Sequence, residues 1–309
     1  MPRTVAPARD TDGVRIAVAL ALAGLALLGC GARSQDAPAA TTSRIAVVVM
    51  ENKEAGTALD PAQAPYLAGL ARHYALATRS YGVTHPSLPN YIALTSGSTQ
   101  GITSNCTSCH TGARSIVDQL EARGISWKGY MQDMPRPCFR GPGSGDYAKK
   151  HNPFMYYDRV VRSPARCAKV VPYTRLGSDL RRGRLPAFSF ITPDLCANTH
   201  DCSVRTGDRF LSRLVPRLLR EVGPRGFVVV TYDEGASSEG CCTGSRGGRI
   251  ATVVAGPPVR RGFRLTTPVD HYGVLRTIQD ALGLPPLGRA RDARSGTLRA
   301  MFARAPRVR

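Results

Sequence analysis

Aromatic and acidic residues are both scarce in this chain of 309 residues. Aromatic residues make up 6% of it, with a single tryptophan, and 22 acidic residues face 42 basic ones, which gives a formal net charge of +20. Such a charge attracts anionic substrates, anionic lipids or acidic polymers. No aromatic residues interleave with the basic ones as a dedicated nucleic-acid surface requires, so we expect no dedicated nucleic-acid partner.

Several sequence motifs of well-known enzyme classes are also missing. The chain contains no G-x-S-x-G, which argues against a serine hydrolase of the nucleophile-elbow type. It contains no G-x-x-x-x-G-K-[ST] loop, which argues against a P-loop enzyme. The long apolar run IAVALALAGLALL is too short for a comfortable membrane span and is typical of a signal peptide.

The amino-terminal segment predicts export. Arginines precede the apolar run, and the LLGC that ends it resembles the bacterial lipobox, in which Cys30 is lipidated and becomes the mature amino terminus. An ordinary secretory signal is the alternative. We therefore predict a signal peptide over 1–29, a tether over 30–43 and one domain over 44–309 with an arginine-rich end. The predicted location is the outer face of the bacterial cell membrane, reached through a lipid anchor.

Cysteine usage agrees with export. Eight of the nine cysteines follow Cys30, and an even number in an exported protein predicts disulfides. The candidates are Cys106, Cys109, Cys138, Cys167, Cys196, Cys202, Cys241 and Cys242. The pairing cannot be read from the sequence, although we expect the adjacent Cys241 and Cys242 to have different partners. The run CTSCH also matches the C-x-x-C-H of c-type haem attachment, which is an alternative to a disulfide there.

Short apolar runs alternate with helical patterns along the chain. Buried strands are predicted at 44–50, 125–131, 187–191, 226–232 and 249–255, and helices at 116–123, 208–222 and 270–282. This alternation predicts an α/β fold whose mostly parallel sheet has helices on both faces. The segment 135–186 is rich in proline, glycine and cysteine, so we expect long loops pinned by disulfides that cover the site.

Acidic residues follow three of the predicted strands. They are Glu51 with Asn52, Asp194, and Asp233 with Glu234. The carboxyl ends of parallel strands share one edge of a sheet, so these side chains are expected to converge. Converging carboxylates need a counter-charge, and their oxygens suit Mg²⁺, Ca²⁺ or Mn²⁺, with Zn²⁺ admitted by nearby histidines. The alternative is that each acid only caps the helix that follows it.

A serine stands between two prolines in the run HPSLPNY. The prolines stiffen the turn, which holds Ser87 at the start of a predicted helix, where a cation and the helix N–H groups would activate it as a nucleophile. Three of the six histidines fall in predicted loops at strand ends, and Asp201 adjoins one of them. These histidines are His85, His200 and His271.

Six segments occur in an order that resembles a known family. They are VVVMEN, HPSLPNY, GDYAKKHNPFMYY, FSFITPD with HD, VVTYDEG and DHYGVLRTIQDALGL. The chain resembles the bacterial phosphoesterase family of phospholipases C and acid phosphatases, within the alkaline-phosphatase-like superfamily. The resemblance implies a three-layer α/β sandwich and a metal-assisted Ser or Thr nucleophile.

The resemblance also implies roles for individual residues. The metal ligands it implies are Glu51, Asn52, Asp233 and Glu234. Ser87 matches the nucleophile and Asn90 a phosphate-binding residue. Asp194, His200 and His271 match either a second metal site or groups that bind phosphate and protonate the leaving group, which leaves one or two metals open. His85, His151 and Asp201 are further candidates for phosphate contacts or proton donors.

These observations predict an exported, metal-dependent phosphoesterase with a Ser87 nucleophile. It acts on phosphate esters as an acid phosphatase or in the manner of a phospholipase C. The alternative is a surface lipoprotein of the same fold that binds anions without catalysis.

Overall fold

The computed structural model describes residues 42–242 and 244–308. The strands in this part are β1 (Ile45–Met50), β2 (Ala75–Tyr81), β3 (Trp127–Met131), β4 (Gly143–Ser144), β5 (Tyr147–Ala148), β6 (Val170–Pro172), β7 (Phe188–Thr192), β8 (Phe227–Tyr232), β9 (Arg249–Ala255), β10 (Arg264–Leu265) and β11 (Val269–Asp270). The predicted signal peptide and Cys30 lie outside the described residues.

Most strands join one mixed, mainly parallel sheet. Its order is β10-β2-β9-β8-β1-β7-β3-β6, β11 also pairs with β2, and β4 and β5 form a separate hairpin. Strand β1 lies between β7 and β8 and is parallel to both, whereas β9 runs antiparallel to β2 and β8. The central run IAVVVM is buried at every position because both faces of the sheet are covered.

Helices pack on both faces of this sheet. The α-helices are α1 (Ala55–Ala58), α2 (Pro65–His73), α3 (Ser87–Ser96), α4 (Ile116–Ala122), α5 (Asp158–Val161), α6 (Pro164–Cys167), α7 (Thr174–Arg181), α8 (Val204–Glu221) and α9 (His271–Ala281). Short 3₁₀ turns occupy Lys149–His151, Pro153–Tyr156, Gly288–Arg291, Ala293–Ser295 and Arg299–Met301. One apolar core joins α3, α4 and α9 to the face of β1 that carries Val47, and the other joins α2, α7 and α8 to the Val48 face. The fold is therefore a three-layer α/β sandwich.

The strongest sequence patterns predicted their elements well. All five predicted strands are present, each shifted by no more than two residues at its start. Helix α4 begins with a capping box, because Ser115 and Asp118 bond to each other's backbone. Helix α9 is capped by Asp270, whose carboxylate accepts hydrogen bonds from two backbone N–H groups of its first turn.

Other predictions of local structure were wrong. The segment 135–186 is not only loops, because it contains α5, α6, β6 and α7. Helix α8 begins at Val204, four residues earlier than predicted, because Ser203 caps it by accepting a hydrogen bond from the Thr206 backbone N–H. Strand β2 was missed because its sequence ALATRSY interrupts the apolar pattern with polar residues.

The eight described cysteines form four disulfides. The pairs are Cys106–Cys109, Cys138–Cys167, Cys196–Cys202 and Cys241–Cys242. The expectation that Cys241 and Cys242 have different partners was wrong, because they bond to each other. The Cys106–Cys109 bond likewise contradicts haem attachment at that motif. Disulfides are typical of exported proteins. No helix in the described part of the chain is long and apolar enough to cross a membrane.

Candidate active site

Glu51 is the centre of the predicted site. It follows β1 at the carboxyl edge of the sheet and is fully buried. Its Oε2 accepts a hydrogen bond from Ser87 Oγ at 3.1 Å, and its Oε1 accepts one from the Tyr91 hydroxyl at 2.5 Å. Burial opposes its charge, but His151, Tyr91 and Lys150 outweigh burial and hold the pKa of Glu51 below its usual value. Glu51 is therefore an ionised carboxylate with both oxygens engaged.

Ser87 and Tyr91 reach Glu51 together because they lie on one face of α3. They are four residues apart, and residues at this spacing are neighbours on a helix surface. The helix begins at Ser87, and the peptide bond between His85 and Pro86 is cis. Ser87 is 1% exposed, so its hydroxyl is held in place inside the protein.

Asp233 and Glu234 follow β8, the neighbour of β1, and approach the same point. Glu234 Oε1 accepts a second, longer hydrogen bond from Ser87 Oγ at 3.4 Å. Asp233 Oδ1 accepts one from the Asn52 backbone N–H at 3.1 Å. Burial, and after it the charges of Glu51 and Glu234, raise the pKa of Asp233 well above its usual value. Three acidic side chains from two strands thus converge as the sequence predicted.

His85 forms the outer wall of this acidic cluster. Its Nδ1 donates to Glu234 Oε2 at 2.6 Å, and its Nε2 donates to the Ser237 backbone carbonyl at 2.9 Å. Both ring nitrogens of His85 thus face oxygen atoms of the protein. Burial raises the pKa of Glu234, although His85 acts in the opposite direction. The side chain of His85 is 39% exposed, so it connects the cluster to solvent.

The side chain of Asn90 bonds to the turn that precedes α3. Its Oδ1 accepts hydrogen bonds from the backbone N–H groups of Val83 and Thr84, at 2.8 Å and 3.1 Å. Its Nδ2 donates to the backbone carbonyls of Thr84 and Pro86, at 2.7 Å and 3.2 Å. These four bonds use the whole hydrogen-bonding capacity of the amide. Asn90 therefore holds the turn that presents Ser87, and a phosphate contact would require breaking one of these bonds.

Two histidines and a lysine form the opposite wall of the site. His151 Nε2 lies 3.2 Å from Glu51 Oε1, and Asn198 donates to His151 Nδ1 at 3.3 Å. His200 Nε2 accepts a hydrogen bond from Lys150 Nζ at 2.8 Å, and its Nδ1 donates to Asp201 at 2.5 Å. The Cys196–Cys202 disulfide closes the loop that carries His200. The predicted residues His151, His200 and Asp201 are thus brought together beside Glu51.

His271 and Asp194 bond to the backbone around the site and not to the side chains of the acidic cluster. His271 is fully buried at the start of α9 and donates from Nε2 to the Asp233 backbone carbonyl at 2.5 Å. Burial lowers the pKa of His271 to about 4, so it is neutral near pH 7 and poorly suited to donate a proton. Asp194 accepts hydrogen bonds from the backbone N–H groups of Cys196 and Ala197, so it shapes the loop that follows it. No helix begins directly after Asp194 in the described part of the chain, so these bonds stabilise a turn and do not cap a helix.

The donor groups of the site fit a divalent cation. Six buried side-chain polar atoms have no hydrogen-bond partner among the described residues, and three of them belong to this site: Asp233 Oδ2, His151 Nε2 and His271 Nδ1. Buried unpaired donors and acceptors are rare, and a bound ion is one explanation for them. Glu51, His151 and His200 offer three ligand atoms within 4.8 Å of one another, a set that excludes Asp233 and Glu234. The sulfurs of Cys241 and Cys242 also lie close to Asp270, but they are joined in a disulfide.

Two residues of this site were not predicted from the sequence. Lys150 contacts His200, and Tyr91 contacts Glu51. The position of Tyr91 beside Ser87 could have been predicted, because the two residues are four apart in a predicted helix. Lys150 immediately precedes His151, but adjacent residues point in different directions, so its contact depends on the tertiary structure.

Solved structures identify the class of fold. A protein of the alkaline phosphatase superfamily from Vibrio parahaemolyticus matches with a TM-score of 0.54 at 12% identity, covering 78% of this chain and 66% of that chain. The lipoteichoic acid synthase LtaP from Listeria monocytogenes also matches with a TM-score of 0.54, at 11% identity, covering 80% of this chain and 73% of that chain. At these identities the likeness shows the fold alone, which is the alkaline-phosphatase-like α/β sandwich.

Sequence comparison identifies the family. The sequence profile described as the phosphoesterase family matches residues 49–285, so the chain belongs to the phosphoesterase family. It is 31% identical over 255 residues to the phosphatidylinositol-3-phosphatase of Mycobacterium tuberculosis, covering 82% of this chain and 81% of that protein. It is 30% identical to an acid phosphatase of Aspergillus fumigatus, covering 71% of this chain and 51% of that protein. The chain thus spans about half the length of this fungal relative. The class these matches define is the hydrolases of phosphoric esters.

Proposed function

We propose that the chain is a metal-dependent phosphomonoesterase in which Ser87 is the nucleophile. The observation that carries the proposal is the position of Ser87 Oγ, 3.1 Å from Glu51 and 3.4 Å from Glu234 inside a buried acidic cluster. The relatives support the monoester class, because they are named as phosphatases that remove a phosphate group. A phospholipase C activity has no such support among these names.

The cation would be held by Glu51, Asp233 and Glu234, with Asn52 beside them. Carboxylate oxygens suit Mg²⁺, Ca²⁺ or Mn²⁺, and the nearby His151 and His200 would also admit Zn²⁺ and a second ion. When bound, a divalent ion supplies positive charge that stabilises the serine alkoxide and the phosphoryl oxygens.

The side chains of the site can perform two displacement steps. Ser87 Oγ attacks phosphorus, and the new O–P bond forms as the bond to the alcohol oxygen breaks. Glu234 accepts the Ser87 proton through Oε1, which lies 3.4 Å from Ser87 Oγ, while its Oε2 stays bonded to His85. The leaving oxygen takes a proton from the pair of Lys150 and His200. Water then attacks the phosphorus of the phosphoserine and gives a proton to the pair of Lys150 and His200. As the Oγ–P bond breaks, Ser87 takes its proton back from Glu234 and phosphate leaves.

Export and anchoring belong to the same proposal. The four disulfides support an oxidising compartment. We place the lipid at Cys30, which would hold the enzyme on the outer face of the cell membrane.

Hydrolysis assays test the proposed activity. We expect p-nitrophenyl phosphate to be hydrolysed faster than its bis ester and p-nitrophenylphosphorylcholine, and EDTA to abolish turnover until a divalent metal is added back. Ser87→Ala should lower kcat by at least about 10³-fold, whereas the control Ser96→Ala, in a buried serine of the same helix, should retain turnover. Full activity in the presence of EDTA would contradict the proposed metal dependence. Faster hydrolysis of the diesters would contradict the proposed phosphomonoesterase activity.

A further inference from the structure

A groove with basic walls lies at the opposite edge of the sheet from the candidate site. It has a volume of about 970 Å³ and is lined by residues that precede β1, β3 and β7. Its basic side chains are Arg44, Arg123, Lys128, Lys169 and Arg184. Apolar residues, among them Trp127, Leu185 and Leu282, line the rest. Neither the family nor the proposed chemistry accounts for this groove.

The basic side chains of the groove are only partly neutralised. Lys128 pairs with Asp179 at 2.6 Å, and Lys169 pairs with Glu121. In contrast, the exposed Arg123 and Arg184 have no ion pair within the part of the chain that the structure describes. Unpaired guanidinium groups around an apolar floor suit the phosphate of a lipid headgroup. The groove therefore offers charge complementarity to an anionic phosphate above apolar side chains that are themselves largely buried.

The chain also enters the described structure at this groove. Thr42, the first described residue, lines it. The 12 residues from Gly31 to Thr42 reach at most roughly 40 Å when fully extended. A lipid on Cys30 would therefore keep the groove within roughly 40 Å of the membrane surface, from where it can reach that surface. Anionic lipids attract basic residues within about a Debye length of the surface.

We propose that this groove is a docking surface for the anionic phospholipids of the membrane to which the chain is tethered. Strand β1 connects the groove to the site, because Arg44 precedes it and Glu51 follows it. At about 3.3 Å per residue, its six residues place the two edges roughly 20 Å apart. Docking would thus turn the active site away from that membrane, toward soluble phosphate esters. The choice of this membrane and the consequence for the substrate both rest on the proposed function, which includes the lipid at Cys30.

Vesicle binding tests the docking surface directly. The protein would begin at Gly31, which keeps the compact unit Ala39–Arg309 whole and removes the predicted lipid site. We expect binding to phosphatidylglycerol vesicles and little binding to phosphatidylcholine vesicles. The double variant Arg123→Gln/Arg184→Gln should weaken binding about 25-fold, or about fivefold for each arginine. The control Arg209→Gln/Arg213→Gln changes the net charge equally on α8, outside the groove, and should weaken it much less.

The sole tryptophan gives an independent readout of orientation. Trp127 lines the groove, so a nitroxide on the lipid headgroup should quench its fluorescence when the protein binds. If both double variants weakened vesicle binding equally, binding would depend only on the net charge of the protein, and the proposal would be overturned. Binding without quenching would show that another face docks, and no preference for anionic vesicles would also overturn it.

Turnover separates this inference from the proposed function. Hydrolysis of p-nitrophenyl phosphate should be similar in both double variants and should persist on saturating vesicles, because the site faces away. Inhibition by vesicles would contradict the orientation. If no variant hydrolyses any ester but binding depends on Arg123 and Arg184, the proposed function fails and the docking surface stands.

Discussion

Removing the Tyr91 hydroxyl tests how the buried carboxylate of Glu51 is stabilised. In Tyr91→Phe, the Glu51 oxygen that now accepts a hydrogen bond at 2.5 Å loses its donor inside the protein. A hydrogen bond to a charged group contributes about 1.5–3 kcal/mol, so we expect a loss of about 2 kcal/mol in the free energy of unfolding. For a domain of this size, that loss corresponds to a fall in Tm of roughly 4–8 °C.

The matched control is Tyr157→Phe. Tyr157 is also fully buried, and its hydroxyl contacts Thr95 Oγ1 and the Ile92 carbonyl, which are neutral. A neutral hydrogen bond contributes about 1 kcal/mol, so this variant should lose about half as much stability. Thermal unfolding followed by circular dichroism, in the presence of EDTA, measures both. An equal or smaller loss in Tyr91→Phe would refute the idea that its hydroxyl stabilises a buried negative charge.

Three further changes have definite expected outcomes. Lys150→Gln should weaken inhibition by inorganic phosphate about tenfold, because it removes a cation from the wall of the site, and steady-state kinetics measure this. Replacing both Cys138 and Cys167 with serine should cost roughly 3–4 kcal/mol in urea unfolding, because their disulfide closes a loop with a sequence separation of 29; no loss would contradict the bond. Gly97→Ala should cost about 3 kcal/mol in the same assay, because φ is +75° and a Cβ would meet the Leu287 carbonyl oxygen at 2.2 Å; an unchanged midpoint would contradict this packing.

The parts of the fold that could be predicted from sequence are those with a strong local signal. Continuous β-branched runs such as those of β1 and β8 can be buried on both faces, and so predict central strands. Strand β2 has no such signal, because its polar residues make pairs inside the sheet. Ser80, for example, bonds to Thr252 of the antiparallel β9 at 2.7 Å. Strand β2 can therefore be assigned only when its partner strand is known, and the local sequence does not identify that partner.

The candidate site, like the fold, could be predicted from the sequence only in part. Glu51 and Asp233 were predicted to converge because each directly follows a parallel strand of one sheet, and topology alone brings them together. Asn90 was predicted to contact phosphate from residue type and position, but its amide is used by the turn before α3. A motif identifies which residues are near the chemistry, whereas the hydrogen-bond partners of each side chain depend on the folded backbone.

The pairing of Cys241 with Cys242 could not be predicted for a related reason. Adjacent cysteines usually bond elsewhere. The pairing here depends on the backbone of the turn, in which Cys242 has a φ of +65°. Sequence spacing carries no information about that conformation.

The central claim is that Ser87 forms a covalent bond to the phosphoryl group during turnover. The direct test is to mix the enzyme and added metal with a phosphate monoester, stop the reaction in acid within the first turnover, and locate phosphate by mass spectrometry of peptides. We expect one phosphoryl group on Ser87, which is lost on longer incubation and is absent from Ser87→Ala. Phosphate on another residue, or turnover by Ser87→Ala at the normal rate, would contradict it.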